Sequence, residues 1–239
     1  LTDREGMPII VFNPLSWTRT DIVETILEYT HPPLHLCLKD SQGQTFPIQI
    51  TDRRENKNKT QIRCAFVAQD VPSLGYKTFY AVESENTPEI SSSMIAADYC
   101  LENEFFRIEV DPQSGDLSRI YDKRNNREVL HESSKGNQLI AIEDEGDSEG
   151  RFVRKSDVCG KPPGAEESIR AVSSIRVLEN NPVRAAIRIE KEYQNSRFVQ
   201  DVTLYRDIDR IDFNLLLDWH DIHRMIKVAF PLSLIDPEI

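Results

Sequence analysis

Apolar and polar residues alternate with a period of two through segment after segment, and sustained i, i+3, i+4 stripes are hard to find. Such alternation sends successive side chains to opposite faces of a pleated strand, so it predicts a nearly all-β protein. Met7 to Phe12 is a short apolar run ended by Asn13-Pro14, where proline removes a backbone donor and starts a turn. Leu34, Leu36 and Leu38 alternate, Lys39 to Gln44 carries a glycine-containing turn, and Phe46, Ile48 and Ile50 alternate again. That sequence predicts a hairpin. Ile62, Cys64 and Phe66 mark one face of a further strand, and Tyr76, Thr78, Tyr80 and Val82 continue the pattern.

Ser84 to Ser93 is polar, contains Pro88 and three consecutive serines, and shows no periodicity. It reads as a linker. Beyond it, Phe106, Ile108 and Val110 share a face, with turns at Asp111 to Gly115 and at Asp122 to Asn126. The cleanest strand places Ile211, Phe213, Leu215, Leu217 and Trp219 on one face and Asp212, Asn214, Asp218 and His220 on the other, and Ile226, Val228 and Phe230 restart the pattern. Strands with one polar face suit antiparallel sandwiches. The expected fold is all-β: a small β-sandwich over 1–83, a linker over 84–97, and part of a large antiparallel β-sandwich over 98–239. Leu1 is no natural translation start and the last residues fall in an apolar stretch, so both ends read as trimmed, the large domain being cut short at its C-terminal side.

With 39% hydrophobic and 29% charged residues, the composition is that of a folding globular chain. A formal charge of −11 repels a phosphate backbone, so no nucleic-acid partner is expected. No apolar run approaches the roughly 20 residues a membrane helix needs, so no membrane partner is expected either. Cys37, Cys64, Cys100 and Cys159 lie far apart, without zinc-site spacing, and read as thiols of a reducing, cytoplasmic compartment.

Candidate chemistry concentrates where strand and turn logic lapses, between Glu143 and Gly164. Glu143 to Arg151 gathers carboxylates around Gly146 and Gly150, a composition that serves as a solvated acidic loop or as a set of acceptors for sugar hydroxyls. The alternating ligand order of a calcium loop is absent. Two catalytic carboxyl groups of a retaining glycosidase must sit about 5 Å apart, a geometry that one loop sets poorly, so no catalytic residue is assigned. His220 and His223, three apart on an extended chain, point to opposite faces and converge only if the backbone turns between them, so no metal ligand is assigned. Trp219 continues an apolar strand face and reads as core, whereas Trp17 is open to core packing or sugar stacking.

Three stretches then resemble one family. Val11-Phe12-Asn13-Pro14-Leu15-Ser16-Trp17 is similar to a segment that follows the catalytic and helical domains of glycoside hydrolase family 38 α-mannosidases. Leu101 to Ile108 with Gly115, Leu117 and Tyr121-Asp122-Lys123 resembles that family's entry into its large β domain. Asp218-Trp219-His220 through Lys227-Val228-Ala229-Phe230-Pro231 resembles its tryptophan strand and the strand after it. The resemblance implies a supersandwich of the galactose-mutarotase-like kind, and a non-catalytic segment of an enzyme that cleaves α-linked mannose. It places the nucleophile and zinc in an N-terminal catalytic domain not contained in this chain, which becomes the expected partner together with a mannose-containing glycan or small mannoside. Gly146-Asp147-Ser148-Glu149 resembles a loop that reaches the sugar cleft, although the aromatic residue often near it is missing. Asp144, Asp147, Ser148, Glu149 and Arg151 are therefore the expected substrate contacts. Alternatives are an independent carbohydrate-binding or structural sandwich module, or part of a mannosylglycerate hydrolase.

Overall fold

The structure, a computed structural model, describes residues 6–56, 58–84, 94–144 and 166–234. Every regular element among them is a β-strand, and none of them forms a helix long and apolar enough to cross a membrane. The chain divides into two compact units. The first takes in Leu1–Met94 together with Asn180–Ala185 and Tyr205–Arg210; the second holds Ile95–Glu179, Ala186–Leu204 and Ile211–Ile239.

The first unit contains β1 (Met7–Asn13), β2 (Arg19–Tyr29), β3 (His35–Asp40), β4 (Thr45–Phe46), β5 (Gln49–Asn56), β6 (Lys59–Val71) and β7 (Gly75–Ser84). They form two sheets, ordered β1-β7-β3-β4 and β2-β6-β5. One core cluster draws on both, with Leu36, Leu38, Phe46 and Phe79 from the first sheet and Leu27, Ile62, Cys64 and Phe66 from the second. Phe79 meets Phe66 at 5.2 Å and Phe46 edge-on at 5.7 Å between ring centroids. A fully buried side chain of this kind contributes roughly 1.5–3 kcal/mol, so this double-faced contact is what makes the pair of sheets a sandwich. A second cluster explains why β6 is apolar on both faces: Val67 packs with Val183, Tyr205, Ile208 and Ile22. Burial also pushes the Cys64 thiol up to about 11, which keeps it protonated.

The hairpin expected from Phe46, Ile48 and Ile50 splits in two. Phe46 pairs with Leu38 in one sheet, whereas Ile50 pairs with Cys64 in the other. Pro47 lies at the crossing and has no backbone donor to continue the first ladder. The Asn13-Pro14 turn is held by one buried amide, since Asn13 Nδ2 donates to the carbonyls of Trp17 (2.7 Å), Val71 (3.1 Å) and Pro72 (3.1 Å) while Oδ1 accepts from the Leu15 N–H.

The second unit contains β8 (Ile95–Ala97), β9 (Cys100–Glu102), β10 (Phe106–Val110), β11 (Leu117–Asp122), β12 (Arg127–Glu128), β13 (Gln138–Glu143) and β14 (Glu166–Ser168), followed by most of β15 (Ala171–Asn180), β16 (Arg184–Tyr193), β17 (Ser196–Tyr205) and β18 (Ile208–Asp218), and by β19 (Arg224–Ala229). Their sheets are ordered β12-β11-β10-β9-β8, β14-β13-β19 and β15-β16-β17-β18. The matching of Ile95–Ala97 with β9 means that the end of the stretch read as a linker is a paired strand. Asn103 repeats the device seen at Asn13: its Oδ1 accepts from the N–H groups of Phe105 and Phe106, and its carbonyl accepts from Lys123 Nζ at 2.5 Å.

The turn from Asp111 to Asp116 carries the unit's central polar contact. Lys191 and Asp116 are 0% and 2% exposed and meet at 2.6 Å. Burial pulls the Lys191 ammonium below the usual lysine range, and the hydrogen bond to Asp116 opposes that pull. Gly115 precedes Asp116 with φ +66, and a Cβ there would lie 2.7 Å from Ile189 and 2.9 Å from the Lys191 stem. Only glycine lets the turn approach that strand so closely.

Two expected outcomes follow for this turn. Lys191→Met alone strands a buried carboxylate and should cost about 3–5 kcal/mol in urea unfolding, while the Lys191→Met/Asp116→Leu double variant should recover most of that loss. Asp111 is held down to about 2, first by its Lys135 hydrogen bond and then by the N–H groups of Ser114 and Gln113. A depressed folded value means its stabilisation is full above pH 4 and fades as pH falls toward 2. The gap in urea midpoint between the native chain and Asp111→Asn should therefore be widest above pH 4 and close toward pH 2.

Candidate functional site

The acidic run begins where β13 ends. β13 lies between β14 and β19, with Ile142 opposite Glu166 on one side and Met225 on the other. The chain that leaves this strand at Asp144 and the chain that re-enters at Glu166 are therefore held side by side by a ladder. At the last rung Arg224 meets the Glu143 carboxylate at 3.2 Å, and beyond it the Asp144 N–H donates to the His223 carbonyl at 2.9 Å. Asp144 is buried, at 9% exposure. Of the five residues expected at a sugar, the structure places Asp144 at this base; Asp147, Ser148, Glu149 and Arg151 lie outside the described residues.

The base is braced by the connection from β18 to β19. The backbone turns through Asp221 to His223, with His223 at φ 55, which gives the bend that two histidines three apart would need in order to converge. His220 instead meets Asp218 at 2.8 Å, exposed to solvent. Among the described residues no group of three or more His, Cys, Asp or Glu is placed to hold a metal ion. Buried Asp221 accepts from Ser196 Oγ at 2.6 Å, and that same oxygen accepts from the His220 N–H at 2.9 Å. One hydroxyl thus bolts the turn to the start of β17.

Beneath this turn Trp219, half-buried, packs against a core cluster. Its ring stacks on Tyr193 at 6.4 Å and meets Phe198 edge-on at 6.2 Å, against Leu139, Ala141 and Ile169. Burial, and then the hydrogen bond its hydroxyl donates to Glu167 at 3.1 Å, raise the Tyr193 phenol. It remains a donor at neutral pH. Glu143 and Glu167 thus flank the two ends of the acidic segment, one engaged by Arg224 and the other by Tyr193. Ser196, Tyr193 and Arg224 were not singled out in the sequence, since each is a lone polar residue in a strand and carries no local motif.

A second concavity, of about 460 Å³, lies beside Arg119, Glu109, Glu128 and Ser118 in the same unit. Its guanidinium is already held by Glu128 at 2.6 Å and Glu109 at 3.6 Å. In the first unit, Trp17 is 60% exposed next to the turn held by Asn13.

Comparison with known proteins bears on residues 101–239, which match the family described as Glycosyl hydrolases family 38 C-terminal domain. Alpha-mannosidase G of Dictyostelium discoideum is 22% identical over 144 residues, covering 58% of this chain and 13% of that protein. A crystal structure of a protein in the Glycosyl Hydrolase Family 38 from Enterococcus faecalis shares the fold, with a TM-score of 0.70 and 18% identity over 96% of this chain and 33% of that one. The chain thus spans a minor part of either relative's length.

Ser196→Ala removes a buried hydroxyl with two partners and leaves Asp221 short of a donor, which should cost about 1–3 kcal/mol. With Trp17→Phe as background, the emission of Trp219 should shift to the red in Ser196→Ala before global unfolding in urea.

Proposed function

The chain belongs to glycosyl hydrolase family 38 through its C-terminal domain, and from that premise we propose that it is the non-catalytic β portion of an α-mannosidase-type hydrolase. The intact enzyme cleaves α-mannosidic bonds in a glycan or small mannoside, and an N-terminal catalytic domain supplies the nucleophile and zinc. The observation that carries this reading is the match over residues 101–239, supported by the related alpha-mannosidase G. Asp144, at the braced end of β13, starts the run whose Asp147, Ser148, Glu149 and Arg151 contact sugar hydroxyls at the rim of the active site.

Trp17 favours a second reading, since an indole 60% exposed beside a rigid turn can stack on a sugar face. In that case the segment binds carbohydrate by itself.

Asp147→Ala and Glu149→Ala in the full-length enzyme should each lower mannoside kcat/KM roughly 5- to 10-fold, the worth of about 1 kcal/mol per hydrogen bond, with unchanged Tm. Unaltered kinetics would remove these residues from the site, and hydrolysis by the 239-residue chain alone would end the non-catalytic assignment. Titration of that chain with mannosides, native against Trp17→Ala, separates the second reading: saturable binding lost in the variant supports an autonomous binding module.

A further inference from the structure

The turn between β18 and β19 borders the point where the acidic segment leaves the sheet. The Asp144 N–H donates to the His223 carbonyl at 2.9 Å, one step beyond the Glu143–Arg224 rung. The turn is anchored on both sides of its tip. Before it, buried Asp221 accepts from Ser196 Oγ at 2.6 Å, and that oxygen accepts from the His220 N–H at 2.9 Å. After it, His223 holds φ 55, a left-handed conformation that costs a side chain other than glycine some energy.

At that tip Ile222 is 79% exposed, more than any other large apolar side chain among the described residues. Exposure alone carries no meaning, since Leu34 and Leu74 are 74% and 75% exposed. What sets Ile222 apart is a rigid support and its neighbour in space. From Glu143 to Arg151 the sequence reads Glu-Asp-Glu-Gly-Asp-Ser-Glu-Gly-Arg, with no aliphatic or aromatic side chain. A pyranose carries hydroxyls around its rim and C–H groups on its faces, and small-molecule sites pair a few polar groups with apolar walls. Ile222 is an apolar group held beside a run that has none of its own.

We propose that Ile222 is a specificity residue whose side chain contacts the apolar C–H face of the sugar that the acidic run engages through its hydroxyls. The proposal rests on the reading of that run as the rim of a mannoside site, and supplies the apolar half of the grip. An aliphatic contact of this kind holds ground state and transition state alike, so it acts on KM and leaves kcat in place. It accepts an uncharged pyranoside and disfavours one with a charged group on the same face, whose desolvation nothing on isoleucine offsets.

Kinetics of the full-length enzyme on 4-nitrophenyl α-mannoside, with methyl α-mannoside as competitor, test this. Ile222→Ser should raise KM and the inhibition constant of methyl α-mannoside together, roughly 5- to 20-fold, with kcat and Tm unchanged. Ile222→Leu, which keeps the apolar volume, should stay within about 2-fold of the native enzyme. Leu34→Ser, at a 74% exposed position in the first unit, should change neither constant. Native kinetics in Ile222→Ser would overturn the proposal, as would an equal loss in Leu34→Ser. A loss confined to the nitrophenyl substrate would move the contact to the leaving group and overturn it too. If Asp147→Ala and Glu149→Ala weaken turnover while Ile222→Ser does not, Ile222 alone leaves the site; if none of the three has an effect, the reading of the acidic run falls with it.

Discussion

The contact between Lys191 and Asp116 constrains the second unit more tightly than any apolar contact can. Hydrophobic burial tolerates sliding and repacking, but a buried ammonium is stable only where a carboxylate meets it at hydrogen-bond distance. At 2.6 Å and near-complete burial, the pair fixes where the turn between β10 and β11 sits on β16. Gly115 permits the approach, and Asp111 and Lys135 stiffen the same turn at 2.7 Å. Further along the chain, Gln200 donates to Asn137 at 3.1 Å in an equally buried position, which sets the entry to β13. The strand that carries the acidic segment is thus positioned by polar contacts at its entry and by a ladder, an ion pair and the Ser196–Asp221 bolt at its exit.

The stretches that resemble the family turn out to be joints. Asn13 and Asn103 each close a turn with a buried side-chain amide, and the buried Asp122 carboxylate closes another by accepting from the Asn125 N–H. Asn, Asp and Gly recur there because their side chains, or the lack of one, satisfy backbone groups that a turn leaves unpaired. Lys123 shows the long-range form of the same role: it closes on the Asn103 carbonyl and on Glu102 at 2.7 Å, joining two motifs 20 residues apart. A family signature made of joints identifies architecture well and says little about chemistry.

Strands were legible where one face is wet and the other dry, as in the first half of β6, where Ile62 and Cys64 are buried and Gln61 and Arg63 are exposed. Sheet membership was not legible: the alternation of Phe46, Ile48 and Ile50 looks continuous, yet Phe46 and Ile50 pair in different sheets. Alternation reports burial, and it is silent about which neighbour does the burying. The same limit explains Leu215 and Leu217, whose pattern reads as core while their own chain leaves them more than a third exposed. At the candidate site, the acidic composition pointed to Asp144, but the Ser196 and Arg224 contacts depend on strands brought together over long sequence separations. Such contacts leave no local trace.

The first unit is discontinuous. Val67 and Ile22 find their partners in Val183, Tyr205 and Ile208, residues made long after Met94. At about 5–20 residues per second, a ribosome takes roughly 5–25 s to pass from Met94 to Arg210. During that interval one side of β6 has no cover, so the amino-terminal sandwich cannot finish maturing as it emerges, and a nascent chain halted between the two points is the species a holdase chaperone would find most exposed.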